Sequence, residues 1–338
     1  MPILANSFVR CPFPVNFDPY GGCEHQCAYC FANRHIRKDA RDKFDASKEK
    51  GESVEQLKAF CEGKRTSRLR WIDWKIPVCI GRNTDPFQPR EAREKKTLAC
   101  LKYLAKTGYP FIVTTKGVMM AEDREYREVL KDCNCVFQFS MCCPKQDAME
   151  RGAPCYERRL NALHVLSGIV PRVIARWQPL FLEWRDDCIR QLPRLKQAGA
   201  YGILCDTAYL KRPLAGCCIR EGNLFCYPSN IIKADYTKIR AAAHARGLVF
   251  MSSEKRQMSD YITCCIGSPL PGFRPSKCNA PFYWLARDEY ETTSAMQLPG
   301  TGEAFQNIYT GRKSFAELRK HTFAELMLDY AHKAGVNY

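Results

Sequence analysis

Long apolar runs are missing from this sequence of 338 residues. No stretch approaches the ~18 consecutive apolar residues that a membrane-spanning helix needs. The N-terminal segment also lacks the basic region followed by an apolar region that marks a secretory signal peptide. These absences lead us to expect a cytoplasmic protein with no membrane partner.

Acidic residues are few relative to basic ones: 36 Asp and Glu stand against 52 Lys and Arg, a formal net charge of +16. Such an excess favours a polyanionic partner such as a nucleic acid or a phosphorylated nucleotide. Basic residues concentrate at 34–43 and 64–75, and the second stretch includes Trp71 and Trp74. Cations follow phosphates and aromatic rings stack on bases, so 64–75 is a candidate nucleic-acid contact. The alternative is a solvated helix face whose tryptophans pack in the core.

Short apolar runs that resemble buried strands alternate with helix-like stretches. The predicted strands are 76–81, 111–115, 135–140, 172–180, 201–205 and 248–252, and the clearest predicted helices are 93–108, 155–168 and 185–199. This alternation predicts an α/β fold with a parallel sheet, either a full or partial (β/α) barrel or an open doubly wound sheet. In both cases ligands bind at the carboxyl ends of the strands. We predict a core over 1–205 and an irregular, cysteine-rich C-terminal extension over 206–338, with a helix at 314–335.

Cysteine is abundant, with 20 residues, and three of them stand close together in "DPYGGCEHQCAYCFANRH". Cys23, Cys27 and Cys30 have the spacing C-x3-C-x2-C. Zinc is one alternative, but a structural zinc site is usually closed by four ligands, and His25 would have to be the fourth. A disulfide is disfavoured by the reducing compartment and the odd count. A [4Fe–4S] cluster held by three thiolates leaves one iron open to a ligand, which gives a reason for three cysteines.

The cysteine spacing, with Tyr29 before the last cysteine, resembles the signature of the radical S-adenosylmethionine (SAM) superfamily. The resemblance implies a partial (β/α)6 barrel in which Cys23, Cys27 and Cys30 ligate a [4Fe–4S] cluster. In that superfamily the open iron chelates SAM, and the reduced cluster donates one electron. A 5′-deoxyadenosyl radical then abstracts hydrogen from the substrate. A reductant such as flavodoxin or ferredoxin is an implied partner.

Further motifs resemble the spore photoproduct lyase-related branch of that superfamily. They are "GRNTDPFQPRE" (81–91), "TTKG" (114–117), and "FQFSM" followed by "APCYERRLNALHVLSGIVPRV" within 137–173. The resemblance covers about residues 15–180. Each motif alone is weak, whereas their order after the cysteines is fairly specific.

This resemblance also implies roles for the residues in those motifs. Tyr29 would lie along the adenine side of SAM, and Thr84, Lys116 and Ser140 would hold its polar groups. A cationic Lys suits a carboxylate, and hydroxyls suit carboxylate and ribose. A solvated loop cation is the alternative for Lys116, and a strand cap is the alternative for Ser140. Asp85 would either bind ribose or cap a helix.

One position departs from the photoproduct lyases, which carry a hydrogen-donating cysteine two residues before the Ser or Thr of the motif at 81–91. Here that position is Arg82, and the nearest thiol, Cys79, is expected in the core. Cys142 and Cys143, just beyond Ser140, are our candidate hydrogen donors. Repair of thymine dimers is therefore in doubt.

We accordingly expect a lyase-type radical SAM enzyme that acts on a nucleobase, a nucleoside or a nucleic-acid lesion. One alternative is a queuine lyase-like cleavage of a free deazaguanine base. Another, from a different class, is a nucleic-acid-binding iron–sulfur protein whose cluster is structural or redox-sensing.

The cysteines of the second half carry a separate hypothesis. Adjacent pairs stand at 217–218 and 264–265, and Cys264, Cys265 and Cys278 bracket a loop rich in Pro and Gly. A second iron–sulfur cluster is one interpretation. Buried thiols that behave as small hydrophobic residues are the other.

Overall fold

The computed structural model describes residues 3–4, 15–30, 51–62, 78–210, 213, 216–217, 219–222, 224–252, 254–255 and 258–260. Several predicted features lie outside these residues: the basic stretches 34–43 and 64–75, the loop around Cys264, Cys265 and Cys278, and the helix at 314–335. They stay predictions.

An eight-stranded sheet forms the centre of the described part of the chain. Its members are β1 (Ile3–Leu4), β2 (Val15–Phe17), β3 (Val78–Ile80), β4 (Phe111–Thr115), β5 (Cys135–Ser140), β6 (Arg172–Leu180), β7 (Gly202–Thr207) and β10 (Val249–Met251). β1 is antiparallel to β2, and every other neighbouring pair is parallel. The strands follow one another in chain order, except that β8 (Ile219–Glu221) and β9 (Leu224–Cys226) form a separate hairpin. This is the predicted α/β architecture, open between β1 and β10 as in a partial barrel.

Helices connect the parallel strands. They are α1 (Val54–Cys61), α2 (Glu91–Glu94), α3 (Lys96–Thr107), α4 (Met119–Glu122), α5 (Arg124–Lys131), α6 (Tyr156–Ser167), α7 (Arg185–Gln197) and α8 (Ser229–His244), with 3-10 turns at Pro144–Met149 and Leu182–Trp184. No helix in the described ranges has the length and apolar character needed to cross a membrane. The predicted core boundary at residue 205 stays a prediction, while β10 adds to the same sheet from further along the chain.

The helix predicted over 93–108 is instead two helices. Lys95 breaks it with a left-handed φ of 48°. The cause is the buried carboxylate of Glu91, which accepts hydrogen bonds from the main-chain N–H groups of Thr97 (2.9 Å) and Leu98 (2.8 Å). These N–H groups begin α3 and have no partner within the helix, so an acceptor from the preceding turn stabilises a new start.

The two faces of the sheet differ in chemistry because side chains alternate along a strand. On β5, the rings of Phe137 and Phe139 are fully buried, and Phe137 also contacts Phe87. Gln138 and Ser140 point to the other face, where they meet polar side chains of β4 and β6. The polar face and the carboxyl ends of the strands are therefore where chemistry is to be sought.

Substitution of Gly117, two residues after the end of β4, tests how tightly the carboxyl edge of the sheet is packed. A Cβ placed there would lie 2.3 Å from the Phe87 carbonyl oxygen. We expect Gly117→Ala to lower the free energy of unfolding by about 1–3 kcal/mol, the usual effect of overpacking. Chemical denaturation measures it. Gly168→Ala is the control, since its Cβ would lie 3.8 Å from the nearest atom. Equal effects of the two substitutions would contradict the packing described here.

Candidate functional site

The loop that carries the three cysteines follows β2 at the carboxyl edge of the sheet. It is closed by a turn in which the Cys30 N–H donates to the Cys27 carbonyl at 3.0 Å. The Ala28 N–H donates to the Met149 carbonyl at 2.9 Å, which joins the loop to the segment after β5. Cys27 is buried, and Cys23 and Cys30 are half-buried. The loop is therefore attached to β2 at its start and to the segment after β5 through Ala28.

Two thiols of this loop, those of Cys23 and Cys27, have pKa values above the ordinary value. Burial, followed by the charge of Asp85, raises the pKa of Cys23 to about 12. Burial likewise raises the pKa of Cys27 to about 11, with a contribution from Cys30. Within the described ranges no three His, Cys, Asp or Glu side chains already converge as ligands of one metal ion. Cysteine thiols are the donors that iron–sulfur clusters use, and bound iron would favour their thiolate forms, so the cluster at Cys23, Cys27 and Cys30 stays a prediction.

A buried carboxylate, Asp85, joins the cysteine loop to the ends of two strands. Its oxygens accept from the main-chain N–H of Lys116 at 2.6 Å and from the Thr115 hydroxyl at 2.6 Å, beyond β4 and at its end. They also accept from the Phe87 N–H at 2.9 Å. The His25 Nε2 atom lies 3.2 Å from the Asp85 Oδ2 atom. Asp85 is thus occupied by protein groups, including the N–H of Phe87 in its own turn, rather than pointed to solvent.

The electrostatics of this pair favour its charged form. Burial by itself would raise the pKa of Asp85, but the charge and hydrogen bond of His25, with the other donors, hold it down at about 2. Burial lowers the pKa of His25, but the charge and hydrogen bond of Asp85 and a bond to Gly152 outweigh it and raise the pKa overall. The His25 Nδ1 atom lies 2.9 Å from the Gly152 carbonyl oxygen. Both ring nitrogens of His25 thus lie near oxygen atoms of the protein, so His25 is a buried support of the loop.

Three of the predicted SAM contacts lie together beside this loop. The Lys116 ammonium donates to the Ser140 hydroxyl at 2.9 Å, across the ends of β4 and β5. The same ammonium lies 5.6 Å from the centre of the Tyr29 ring, within cation–π range. A cation, a hydroxyl and an aromatic face from three separate segments are thereby brought together next to the cysteines.

Thr84 lies at the base of the same loop. Its buried hydroxyl donates to the Tyr20 carbonyl at 2.8 Å, and its N–H donates to Asp18 at 3.3 Å. The hydroxyl oxygen keeps acceptor capacity, so a contact with SAM stays a prediction. Arg82, in the departing position, donates to the Asn16 side chain at 3.3 Å.

The candidate hydrogen donors, Cys142 and Cys143, are both buried at the carboxyl end of β5. The Cys142 thiol donates to the Pro179 carbonyl at 3.4 Å, and burial raises its pKa well above the ordinary value. Cys143 hydrogen-bonds to Cys188, which lowers the pKa of Cys143. Cys79 is buried in the core as expected.

A buried polar network beside Lys116 was not predicted from the sequence. Glu150 is paired with Arg159 at 2.5 Å and lies 3.9 Å from the Lys116 ammonium. Burial raises the pKa of Glu150 to about 7, against the pull of Arg159. The Gln146 amide donates to the Tyr29 hydroxyl at 3.0 Å and to Glu150 at 3.2 Å. The available signal was the group of polar residues at 145–150, which follows the end of a buried strand by a few residues, near the edge where sites in such sheets form.

Comparison with known proteins bears on the fold. No protein-family model matches the chain. Over 116 residues it is 29% identical to uncharacterized proteins of Mycobacterium tuberculosis (strain ATCC 25618 / H37Rv) and Mycobacterium bovis, a match that spans 33% of this chain and 32% of each relative. The match thus spans about a third of the length of these curated relatives.

Several solved structures resemble the chain. A variant of spore photoproduct lyase matches with a TM-score of 0.50 at 12% identity, covering 71% of this chain and 76% of that chain. Streptococcus suis SuiB bound to S-adenosylmethionine matches with a TM-score of 0.45 at 11% identity, covering 71% and 50%. The first likeness confirms the predicted fold: the chain has the fold of spore photoproduct lyase.

Removal of the Asp85 charge tests its role in holding the loop. Asp85→Asn leaves His25 without its counter-charge, and we expect the free energy of unfolding at pH 7 to fall by about 3 kcal/mol or more. The folded-state pKa of about 2 lies below the unfolded value, so the wild-type advantage is present above about pH 4 and lost as pH falls toward 2. Urea unfolding at several pH values measures this.

Asp132→Asn is the control for this experiment, because Asp132 is exposed at the end of α5. It should change stability little at any pH. A gap between Asp85→Asn and wild type that stays constant down to pH 2 would show that the carboxylate charge is not what stabilises the loop.

Proposed function

We propose that this chain is a radical SAM enzyme whose cluster is held by Cys23, Cys27 and Cys30. The observation that carries the proposal is the arrangement of Lys116, Ser140 and Tyr29 beside the cysteine loop, at the carboxyl edge of a sheet with the fold of spore photoproduct lyase. These residues are far apart in the chain and meet at this edge. Lys116 offers a cation to a carboxylate, and Tyr29 offers an aromatic face to a purine.

When bound, a reduced [4Fe–4S] cluster and SAM supply one-electron cleavage of SAM and, from it, hydrogen abstraction. The chain's own residues bind and orient. Lys116 attracts the carboxylate of SAM, Ser140 contributes a hydroxyl, and Tyr29 lies against the adenine. Asp85 holds the Lys116 main chain and the cysteine loop in one relative position, and the buried surroundings exclude water from the reacting atoms.

For the substrate we propose a nucleobase, a nucleoside or a nucleic-acid lesion, with a lyase-type outcome. The net charge of +16 and the motif resemblance support this class. Cys142 is suited to returning a hydrogen atom, because its raised pKa keeps the thiol protonated. Cys143 is the second candidate. Electrons would come from a flavodoxin or ferredoxin, and a queuine lyase-like action on a free base is the alternative within the same chemistry.

Loss of a cluster ligand is the first test. Chains with Cys23→Ala, Cys27→Ala or Cys30→Ala should fail to retain about four irons and four sulfides after anaerobic reconstitution, whereas wild type retains them. Iron and sulfide analysis together with visible absorbance measures this. Wild type supplied with SAM and dithionite should then form 5′-deoxyadenosine, read by chromatography.

Cys155→Ala is the matched control, because Cys155 is an exposed thiol before α6 that lies in a different segment. It should bind iron as wild type does. A cluster that survives all three ligand substitutions would place the iron elsewhere. A wild-type cluster that never yields 5′-deoxyadenosine would favour the structural or redox-sensing iron–sulfur protein.

The cation at Lys116 is tested through SAM binding. Lys116→Gln removes a charge-assisted contact with a carboxylate, commonly worth about 1.5–3 kcal/mol, so SAM should bind about 10- to 100-fold more weakly. Equilibrium dialysis with the reconstituted protein measures the dissociation constant, and iron content should stay at the wild-type level. Lys106→Gln, at an exposed position near the end of α3, is the control. Unchanged SAM affinity in Lys116→Gln would remove Lys116 from the SAM site.

A further inference from the structure

A second polar group lies on the same face of the sheet as Lys116 and Ser140. In the parallel register Ser140 is opposite Arg176, and Thr114 is opposite Gln138. Alternation along β6 then puts Gln178 on the same face as Arg176. These side chains come from β4, β5 and β6, all rigid strands. The group is therefore held by the sheet and not by a loop.

Within this group, the side-chain oxygens of Gln138 and Gln178 accept hydrogen bonds from Arg176. The Gln138 side-chain oxygen accepts from Arg176 Nη1 at 2.6 Å and from the Thr114 hydroxyl at 3.3 Å. The Gln178 side-chain oxygen accepts from Arg176 Nη2. A guanidinium has five N–H donors and no acceptor, and a carboxamide whose oxygen is engaged has donors left to offer. Arg176 and Gln178 therefore present donors and positive charge to any ligand that reaches them.

The charge of Arg176 lacks a counter-ion inside the described part of the chain. Arg159 and Arg185, by contrast, each have one: Arg159 pairs with Glu150 and Asp147, and Arg185 pairs with Asp235. Arg176 is half-buried on β6, yet its contacts there are the two neutral carboxamides. A partly desolvated cation without an anion is unfavourable. An anionic ligand would supply the missing charge.

This group is next to the proposed SAM site but separate from it. The Ser140 hydroxyl accepts from Lys116 and donates to the Gln178 main-chain carbonyl at 3.2 Å. Gln178 therefore belongs to both groups, with its main chain facing Ser140 and its side chain facing Arg176. A ligand on Arg176 would lie one strand beyond SAM, where a substrate must be placed for hydrogen abstraction.

We propose that Arg176 and Gln178 bind a phosphate group of the substrate. This inference rests on the proposed function, from which it takes a nucleotide-type substrate that carries phosphate. The planar fork of a guanidinium matches two oxygens of a phosphate, which a point charge does not. The carboxylate of SAM is served by Lys116, so the phosphate of a nucleotide or of a nucleic-acid backbone is the anion left for Arg176.

Binding of deoxynucleotides by the reconstituted protein with SAM present tests this inference. The probes are the four deoxynucleoside 5′-monophosphates and the four corresponding nucleosides, measured by equilibrium dialysis, with inorganic phosphate as competitor. In wild type at least one nucleotide should bind tenfold or more tightly than its nucleoside, and phosphate should compete. Arg176→Gln should abolish this preference, whereas iron content and SAM affinity should stay as in wild type. Arg176→Lys keeps the charge without the fork and should retain only part of the preference.

Arg172→Gln is the control, since Arg172 lies at the amino end of the same strand and its guanidinium stacks on the Tyr201 ring at 4.1 Å. It should leave the preference intact. Equal binding of nucleotides and nucleosides in wild type would overturn the phosphate site. A loss of SAM affinity in both Arg176 variants would also overturn the phosphate site, because it would show that Arg176 binds SAM. Iron binding and 5′-deoxyadenosine formation are measured separately. The phosphate site can therefore be overturned while the proposed radical SAM function stands, and the proposed function can be overturned while the phosphate site stands.

Discussion

The contact between Asp85 and His25 is the interaction on which the site depends. A carboxylate and an imidazole that are both buried must compensate each other, because neither charge is solvated. Asp85 also accepts three further hydrogen bonds: from the Thr115 hydroxyl at the end of β4, from the Lys116 N–H just beyond it, and from the Phe87 N–H in its own turn. The pair therefore attaches the cysteine loop, which has little regular secondary structure, to the carboxyl edge of the sheet. A loop held in this way can carry ligands in a fixed position without secondary structure of its own.

The same carboxylate controls the direction of Lys116. Its oxygen accepts the Lys116 main-chain N–H, so the side chain leaves the strand end from a fixed point and reaches Ser140 on the next strand. Glu150, behind it, is neutralised largely by Arg159 and by its own raised pKa, and so leaves much of the ammonium's charge available. Positive charge is thus kept near the cysteine loop, where thiolates and a carboxylate ligand would both be anionic. This positive charge is retained because the two buried acids nearby differ in pKa: the pKa of Asp85 is lowered, whereas the pKa of Glu150 is raised.

The sequence was sufficient for the strands because apolar runs are local signals, while the role of the cysteine motif stays a prediction. Apolar runs marked each central strand, and the match to spore photoproduct lyase confirms the architecture that they predicted. The break at Lys95 was missed because Glu91 acts as an acceptor only when Tyr20 and Tyr126 bury it, which depends on segments far apart in the chain. Arg176 was passed over for the same reason. A lone arginine in an apolar run gains meaning only when its neighbours on β5 and its missing counter-ion are known.

The polar face of the sheet finally constrains how two anions can be arranged in one site. Lys116 and Arg176 extend from strands separated by β5, and the Ser140 hydroxyl between them bonds to both sides, to the ammonium and to the main chain of Gln178. Like charges that extend from nearby strands repel unless anions or neutral dipoles stand between them. Here the carboxamides of Gln138 and Gln178 and the hydroxyl of Ser140 lie between the two cations, so that in the proposed site each cation would hold its own anion. Because strands of one sheet do not shift relative to one another without breaking their ladder, the distance between the two anions would be set by the backbone.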